Sequence, residues 1–148
     1  MIIYTDGATS NNGAKNAVGG WAFVVVNEDE TQLVHSASGH LDNTTNNRCE
    51  LTAIVQACEY ASHSNETVKI FSDSAYCINC YKQKWYLNWQ KNEWKNSSRQ
   101  PVLNRDLWEQ LIPFFKNPIF TFEKVAGHSN NKWNNYVDEK AVNAKLIK

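Results

Sequence analysis

Strand periodicity gives way to helix periodicity within residues 44–58, which read TTNNRCELTAIVQAC. Apolar side chains recur there at the i, i+3, i+4 and i+7 spacing that lines one face of a helix: Leu51, Ile54, Val55 and Cys58. Asn47, followed three residues later by Glu50, predicts an N-cap with its capping-box partner. The segment therefore predicts a helix that begins near Asn47 and divides the chain into two differently patterned parts.

Three strands are predicted before this helix. Residues 2–4 form a short apolar run that is expected to end at the turn residues Asp6 and Gly7. Residues 20–26 are β-branched, aromatic or small on both faces, which predicts a central strand. Residues 32–41 alternate as a third strand.

Strands and helices alternate in the second part of the chain. Further strands are predicted at residues 68–71 and 119–122. Helices are predicted from residue 73 through the i+4 series Tyr81, Trp85 and Trp89, then after Pro101 over residues 103–111, and finally over residues 133–146. Short loops favour antiparallel neighbours and helical crossovers favour parallel ones. The pattern predicts one α/β domain over residues 1–148, with a mixed five-stranded sheet and helices on its faces.

The charged residues are segregated along the chain. The 15 basic and 15 acidic side chains give a formal net charge of zero. Residues 1–81 nevertheless hold 3 basic and 9 acidic side chains, whereas residues 82–105 hold 6 basic side chains and 1 acidic one. A local basic patch steers an anionic ligand even when the total charge is zero. The tryptophan-rich part of this basic segment, about residues 82–100, is called the handle below.

Composition and cysteine pattern exclude several classes of protein. Hydrophobic residues make up 42% of the chain, which is a globular composition, and no apolar run approaches the ~18 residues of a membrane span. The first residues, MIIYTDG, lack the basic and apolar regions of a signal peptide. Cys77 and Cys80 form a C-x-x-C pair, but no second ligand pair stands at motif spacing. We expect free thiols in a monomeric cytoplasmic protein that does not bind membranes.

Four acidic residues each have an ordinary structural role open to them. Asp6 with Gly7 fits a hairpin turn, Glu50 fits a capping box, Asp73 fits an N-cap, and Asp138 fits an exposed helix position. Taken together, however, the four residues predict a shared site. If the first and fourth strands are parallel neighbours, Asp6 and Asp73 emerge at the edge where open α/β sheets place their sites.

Glu50 enters beside that edge, in the first turn of its predicted helix. Converging carboxylates repel one another unless divalent cations neutralise them. Oxygen-only ligands suit Mg²⁺ or Mn²⁺ and do not suit zinc. The sequence therefore predicts a metal site at the carboxyl ends of these strands.

Four short motifs stand in the order and spacing of one known family. They are YTDG at 4–7, TNNRCEL at 45–51, SDS at 72–74, and VAGH at 125–128 followed by Asp138. The T-N-N-R-x-E element and the G-H…D pair, ten residues apart, are the specific ones. On these motifs the sequence resembles type 1 ribonuclease H from residue 1 to about residue 145. The resemblance implies a ribonuclease H-like fold with strand order 3-2-1-4-5 and an antiparallel second strand.

The resemblance also implies a reaction and its machinery. The expected reaction is hydrolysis of the RNA strand of RNA–DNA hybrids by two Mg²⁺ ions, with Mn²⁺ as a possible substitute, to leave 5′-phosphate and 3′-hydroxyl ends. By similarity, Asp6 bridges the two ions, Glu50 and Asp73 complete the ion on the leaving-group side, and Asp138 holds the other. His128 is expected beside them as a proton shuttle or an aid to product release, since imidazole titrates near neutrality.

Residues that bind the hybrid are implied in the same way. Selectivity must come from the 2′-hydroxyl and the duplex shape, because base edges carry no such information. Amide side chains are expected to contact the minor groove. A phosphate pocket is expected at the start of the first helix. The handle is expected to supply phosphate contacts and a flat packing surface. The candidates are Asn12, Thr45, Asn46, Asn47, Arg48, Lys84, Trp85, Trp89, Lys91, Lys95 and Asn134. By the same resemblance, Asn134 is expected to orient the metal site.

Three positions depart from the pattern of the family, and two other functions stay open. Ala75 stands where many relatives have glutamine, Ala126 where lysine is frequent, and Asn135 where glutamate is common. These departures bear on substrate affinity and on the loop beside the metals. The alternatives are a non-catalytic module that binds hybrids, and a nuclease or integrase of the same broad fold that acts on DNA alone.

Overall fold

The computed structural model describes residues 1–12, 14–125 and 130–147. The strands are Ile2–Ser10 (β1), Val18–Val26 (β2), Leu33–Asp42 (β3), Val68–Ser72 (β4) and Phe120–Lys124 (β5). The helices are Asn46–Ala61 (α1), Ala75–Gln83 (α2), Trp85–Lys91 (α3), Arg105–Phe115 (α4) and Lys132–Leu146 (α5). Over these described ranges, no helix has the length and apolar character needed to cross a membrane.

The five strands form one mixed sheet in the order β3-β2-β1-β4-β5. β2 is antiparallel to both β1 and β3, whereas β4 is parallel to both β1 and β5. Short loops join the antiparallel strands and helices join the parallel ones, as connection length requires. The predicted strand order and the antiparallel second strand are confirmed.

Helices cover both faces of the sheet, as predicted. Side chains of a strand alternate between faces, so neighbours enter different cores. Ile3 packs in a core with α1, α2 and α4, which includes the fully buried Trp108. Tyr4, the next residue, packs in a second core with Val137 and Ala141 of α5. The burial of large apolar side chains on both sides stabilises the sheet between two helical layers.

The first strand is longer than the sequence pattern predicts. It continues to Ser10, so Asp6 and Gly7 lie inside a strand and not at a turn. Gly7 is there because of a close approach between backbones: a Cβ on Gly7 would lie 2.5 Å from the carbonyl carbon of Cys49 and from the amide nitrogen of Glu50. Glycine permits such an approach. An Asp-Gly pair is also the sequence pattern of a turn, so the local sequence does not distinguish the two.

Two predicted helix boundaries are also wrong. The N-cap of α1 is Thr45, whose hydroxyl accepts a hydrogen bond from the amide of Arg48; Asn47 is already helical. The expected continuous helix through Trp89 is interrupted at Lys84, which adopts a left-handed conformation with φ of 55°. The interruption turns α3 so that Tyr86 is buried against Phe115, with ring centroids 5.5 Å apart. Burial of that aromatic ring offsets the lost helical hydrogen bonds.

Candidate active site

Asp6 and Asp73 lie at the same edge of the sheet. β1 pairs with β4 only from Ile2 to Tyr4, so Asp6 stands two residues beyond the last pair. Asp73 directly follows Ser72, the last residue of β4. The hydroxyl of Thr5 donates to the carbonyl oxygen of Phe71 at 3.0 Å and ties the two strands just before they separate. The divergence of two parallel strands opens the space into which the carboxylates project.

Glu50 reaches this edge from the first turn of α1. The amide of Gly7 donates both to Oδ1 of Asp6, at 2.8 Å, and to Oε1 of Glu50, at 2.6 Å. One backbone donor thus holds two carboxylates side by side. The close approach at Gly7 that excludes a Cβ is what allows α1 to bring Glu50 within reach.

The three carboxylates have the geometry of a cation site. One oxygen each of Asp6, Glu50 and Asp73 lies within 4.8 Å of the others. Asp6 is 3% exposed and Glu50 is 4% exposed. Their second oxygens, Oδ2 and Oε2, are buried without a hydrogen-bond partner among the described residues. Buried carboxylate oxygens that lack donors are costly, and a hard divalent cation is the ligand that would satisfy them. The residues present therefore fit Mg²⁺.

The electrostatics of the site support the same conclusion. Burial raises the pKa of Asp6 to about 7, and the charge of Asp73 and the neighbouring carboxyl of Asp138 add to the rise. Burial and the adjacent Asp6 raise the pKa of Glu50 well above its ordinary value. Without a cation, the pair therefore retains a proton near neutrality. A divalent cation would replace that proton, so metal binding and proton release are coupled.

The fourth predicted carboxylate comes from the opposite helical layer. Asp138 lies on α5, half-buried, and its carboxyl is close enough to Asp6 to raise the pKa of that residue. Asn134 lies one helical turn earlier and is 2% exposed, with its Oδ1 unpartnered among the described residues. Both side chains line the same cleft as Asp6. All four predicted carboxylates are thus brought together.

The cleft above the carboxylates has a volume of about 440 Å³ and an amide-rich wall. Asn46 and Asn47, at the start of α1, are exposed and line it. Oδ1 of Asn12 accepts a hydrogen bond from the amide of Asn46 at 2.8 Å, which joins the β1–β2 loop to the helix start. The predicted minor-groove residues therefore stand beside the carboxylates.

Arg48 lies next to that wall and outside the cleft lining. It forms a double hydrogen bond with the carboxylate of Asp106 on α4, at 3.0 and 2.8 Å. The guanidinium holds the pKa of Asp106 below its ordinary value, chiefly through this hydrogen bond. Thr45, the expected companion of Arg48 in a phosphate pocket, caps α1. Both residues therefore have structural roles: Thr45 caps a helix, and Arg48 forms an ion pair with Asp106.

The handle lies apart from the carboxylates. Its half-buried tryptophans pack towards the core: the Trp89 ring lies 5.4 Å from the Trp108 ring and 6.3 Å from the Trp85 ring. Lys84, Lys91 and Lys95 are exposed. None of the handle residues lines the cleft. The tryptophans anchor the segment, and the lysines remain free to meet a ligand that extends beyond the cleft.

The remaining residues to be placed are His128 and several side chains that line the cleft. His128, with Ala126 and Gly127, lies outside the described residues. Tyr76 and Asn135 line the cleft although the sequence did not mark Tyr76 as functional. Tyr76 lies in the first turn of α2, close in sequence to Asp73, and no sequence motif marks it. Ala75 also lines the cleft and leaves it open at that point.

Comparison with known proteins identifies relatives over almost the whole chain. Residues 1–145 match the family model of RNase H. Ribonuclease H of Syntrophomonas wolfei is 41% identical over 144 residues, which are 97% of this chain and 94% of that protein. The foamy viral protease–reverse transcriptase in complex with RNA/DNA hybrid superimposes with a TM-score of 0.86 at 19% identity, over 99% of this chain and 20% of that one. LC11-RNase H1 in complex with RNA/DNA hybrid gives 0.68 at 22% identity, over 98% of each chain.

Proposed function

The chain belongs to the ribonuclease H family of hydrolases, and from this premise we propose that it cuts the RNA strand of RNA–DNA hybrids at the site formed by Asp6, Glu50, Asp73 and Asp138. The observation that carries the proposal is the convergence of buried carboxylates with unpartnered oxygens. Two of the similar structures are complexes with RNA/DNA hybrid, which favours the hybrid as substrate.

The proposed cofactor is a pair of Mg²⁺ ions, for which Mn²⁺ would substitute. Asp6 would contribute to both, Glu50 and Asp73 to one, and Asp138 to the other. Such ions supply an activated water and neutralise the charge that develops on the phosphoryl oxygens. The chain itself supplies the rigid placement of the carboxylates: Gly7 fixes two of them, and α5 positions Asp138 and Asn134.

The proposed reaction is hydrolysis with cleavage at the 3′ oxygen. Water adds to phosphorus, the bond from phosphorus to the 3′ oxygen breaks, and a proton passes to that oxygen. The products are a 5′-phosphate and a 3′-hydroxyl. His128, outside the described residues, is proposed as the group that moves a proton or assists release of the product, because an unperturbed imidazole can take up and give back a proton near neutrality.

The proposed basis of hybrid selectivity is the amide wall of the cleft. Asn46 and Asn47 offer donors and acceptors that suit sugar hydroxyls and minor-groove base atoms. Asn12 supports this wall through its hydrogen bond to Asn46. A 2′-hydroxyl both donates and accepts, so it is the substrate feature that such amides can detect.

Cleavage of matched substrates tests the proposal. End-labelled RNA–DNA hybrid, double-stranded RNA and double-stranded DNA of one sequence are incubated with the protein in Mg²⁺ and in EDTA. We expect only the hybrid to be cut, only in its RNA strand and only with metal, to give ends that a ligase specific for 5′-phosphates accepts. Binding without cleavage would indicate a non-catalytic module, and cleavage of DNA alone would indicate a DNA nuclease or integrase.

A further inference from the structure

Arg48, at the start of α1, is fixed by two residues at the start of α4. Its Nη1 donates to Oδ1 of Asn104 at 3.2 Å and to Oδ1 of Asp106 at 3.0 Å. Its Nη2 donates to Oδ2 of Asp106 at 2.8 Å. A planar guanidinium held at three points cannot rotate as a free arginine does. The orientation of Arg48 is therefore set before any ligand arrives.

The amide of Asn104 is itself oriented by the lining of the cleft. Its Nδ2 donates to the hydroxyl of Tyr76 at 3.2 Å, and Nε1 of Trp108 donates to the same oxygen at 3.2 Å. With the nitrogen of Asn104 committed to Tyr76, its oxygen faces Arg48. A polar chain thus connects Tyr76, which lines the cleft, to the guanidinium.

The remaining donors of Arg48 form one edge. A guanidinium has five N–H groups. Asp106 and Asn104 take both of those on Nη1 and one of those on Nη2. The N–H groups left without a protein acceptor among the described residues are the one on Nε and the second on Nη2. These two point the same way, in the parallel pair that matches two oxygens of a phosphate. The Arg48 side chain is 36% exposed, so a ligand can reach it.

We propose that Asp106 and Asn104 are positioning residues, which present this Nε–Nη2 edge of Arg48 to one backbone phosphate of the bound duplex. The inference rests on the proposed function, since it assumes a nucleic acid in the cleft beside Arg48. Under this inference the acidic side chain of Asp106 favours binding, although it lies at the surface that contacts the negatively charged duplex.

Two opposing effects decide the sign of this role. Asp106 is 60% exposed, so repulsion between its carboxylate and a phosphate roughly 7 Å away is close to its value in water, where it weakens binding by about threefold. The rotamer freedom of an unrestrained arginine weakens binding by up to about 30-fold when a ligand must immobilise it. Positioning is therefore the larger effect, and removal of Asp106 weakens binding although it removes a negative charge.

Matched charge-removing variants test this prediction. Asp106→Ala and Glu109→Ala both remove one carboxylate from α4, and Glu109 pairs only with the exposed Arg105, within the described residues. Affinity for an RNA–DNA hybrid is measured by fluorescence anisotropy in EDTA, and kcat and KM are measured in Mg²⁺. We expect Asp106→Ala to raise Kd and KM about three- to tenfold with kcat unchanged. Asp106→Asn, which keeps one acceptor oxygen, should fall between it and the wild type, and Glu109→Ala should bind as tightly as the wild type or more tightly.

The Arg48→Ala background separates positioning from a fold effect. In that background, adding Asp106→Ala should cause no further loss, because the group to be positioned is gone. A loss that persists there would overturn the inference, as would an Asp106→Ala variant that binds like Glu109→Ala. A wild-type protein that neither binds nor cuts the hybrid would instead overturn the proposed function and this inference with it.

Discussion

At the scale of single residues, the site depends on one backbone donor. The amide of Gly7 holds Asp6 and Glu50 together, and the same residue lets α1 approach because a Cβ would meet the backbone of α1 at 2.5 Å. The two effects are linked. A larger residue at position 7 would push α1 away and would draw Glu50 out of the cluster.

Asp6→Asn should abolish cleavage while the fold is retained. The amide oxygen can still accept the hydrogen bond of Gly7, but the charge that cations require is lost. We expect the cleavage rate to fall at least about 10³-fold, and the melting temperature in EDTA to hold or rise because carboxylate repulsion is relieved. Glu59→Gln, an exposed change farther along α1, is the control and should cleave normally. Wild-type rates for Asp6→Asn at saturating Mg²⁺ would rule out the carboxylate site.

Gly7→Ala should impair both stability and activity. The added methyl group would overlap backbone atoms that cannot rotate away, and overpacking of this kind costs about 1–3 kcal/mol. Gly39→Ala is the matched control, because its Cβ would meet the Trp21 side chain, which is partly exposed. We expect urea unfolding to show a loss of stability for Gly7→Ala together with a weaker dependence of cleavage on Mg²⁺. If both variants cleave alike, Gly7 does not position the cluster.

The sequence predicted the four carboxylates but misplaced their surroundings. Asp6 and Asp73 were identified from residue type and from the expected parallel strands, and both inferences needed only local patterns. The Asp6-Gly7 pair predicts a turn, because a glycine that is required by contact with a distant helix has the same local sequence pattern. The pairing of Arg48 with Asp106 was not foreseen, since it joins residues 58 positions apart through the packing of α4 near the start of α1.

At the scale of elements, the handle combines an anchored body with a charged surface. Trp89 packs on Trp108, and Arg105 lies over the Trp94 ring at 5.0 Å. These contacts fix a segment that contains several non-glycine residues in left-handed conformations. The i+4 spacing predicts one continuous helix through Trp89; the structure has two helices, α2 and α3, separated at Lys84, because tertiary packing of the aromatic rings outweighs the local preference at that residue. The exposed lysines are then displayed on a rigid support.

Replacement of Lys91 and Lys95 by alanine should weaken binding without disturbing the chemistry. Each phosphate contact that is lost removes about 0.9 from the slope of log affinity against log salt, so the slope should flatten by about one to two units. KM should rise more than kcat falls, because the carboxylates are untouched. Lys69→Ala with Lys116→Ala is the control: Lys69 lies in the first half of β4 and Lys116 precedes β5, away from the cleft. An unchanged slope for the handle variant would mean that its lysines face only solvent.

At the scale of the whole molecule, the carboxylate cluster opposes the stability of the fold. Two cores on opposite faces of the sheet hold four acidic side chains near one another. The pKa of Asp6 in the folded protein is about 7, against 3.8 for the free carboxyl, and that of Glu50 is also raised. The folded state therefore binds more protons than the unfolded chain in this range, and its stability must depend on pH.

The metal-free protein should lose stability as the pH rises from about 4 to 7.5. A carboxyl whose pKa is raised by folding stabilises the folded state fully below its unfolded pKa, and this contribution is lost as the pH passes the folded pKa. The rise in the pKa of Asp6 from 3.8 to about 7 corresponds to a loss of at most about 4 kcal/mol in the free energy of unfolding, at about 1.36 kcal/mol for each pH unit. The pKa of Asp106 is lowered, so this carboxyl stabilises the folded state above its ordinary pKa and loses that contribution only at lower pH. Its effect therefore falls outside the range of pH 4 to 7.5.

Urea unfolding in EDTA at pH 5 and pH 7.5 measures the effect. We expect a lower free energy of unfolding at pH 7.5, a smaller difference between the two pH values in Asp6→Asn, and a recovery of about 2.7 kcal/mol when Mg²⁺ is added to the wild type at 100 times its Kd. Recovery should be weaker at pH 5, because protons compete with the cation for the same oxygens. Stability that is independent of pH in EDTA would show that the cluster is ionised without a cation. A Mg²⁺ effect that survives in Asp6→Asn would show that its carboxylates do not form the metal site.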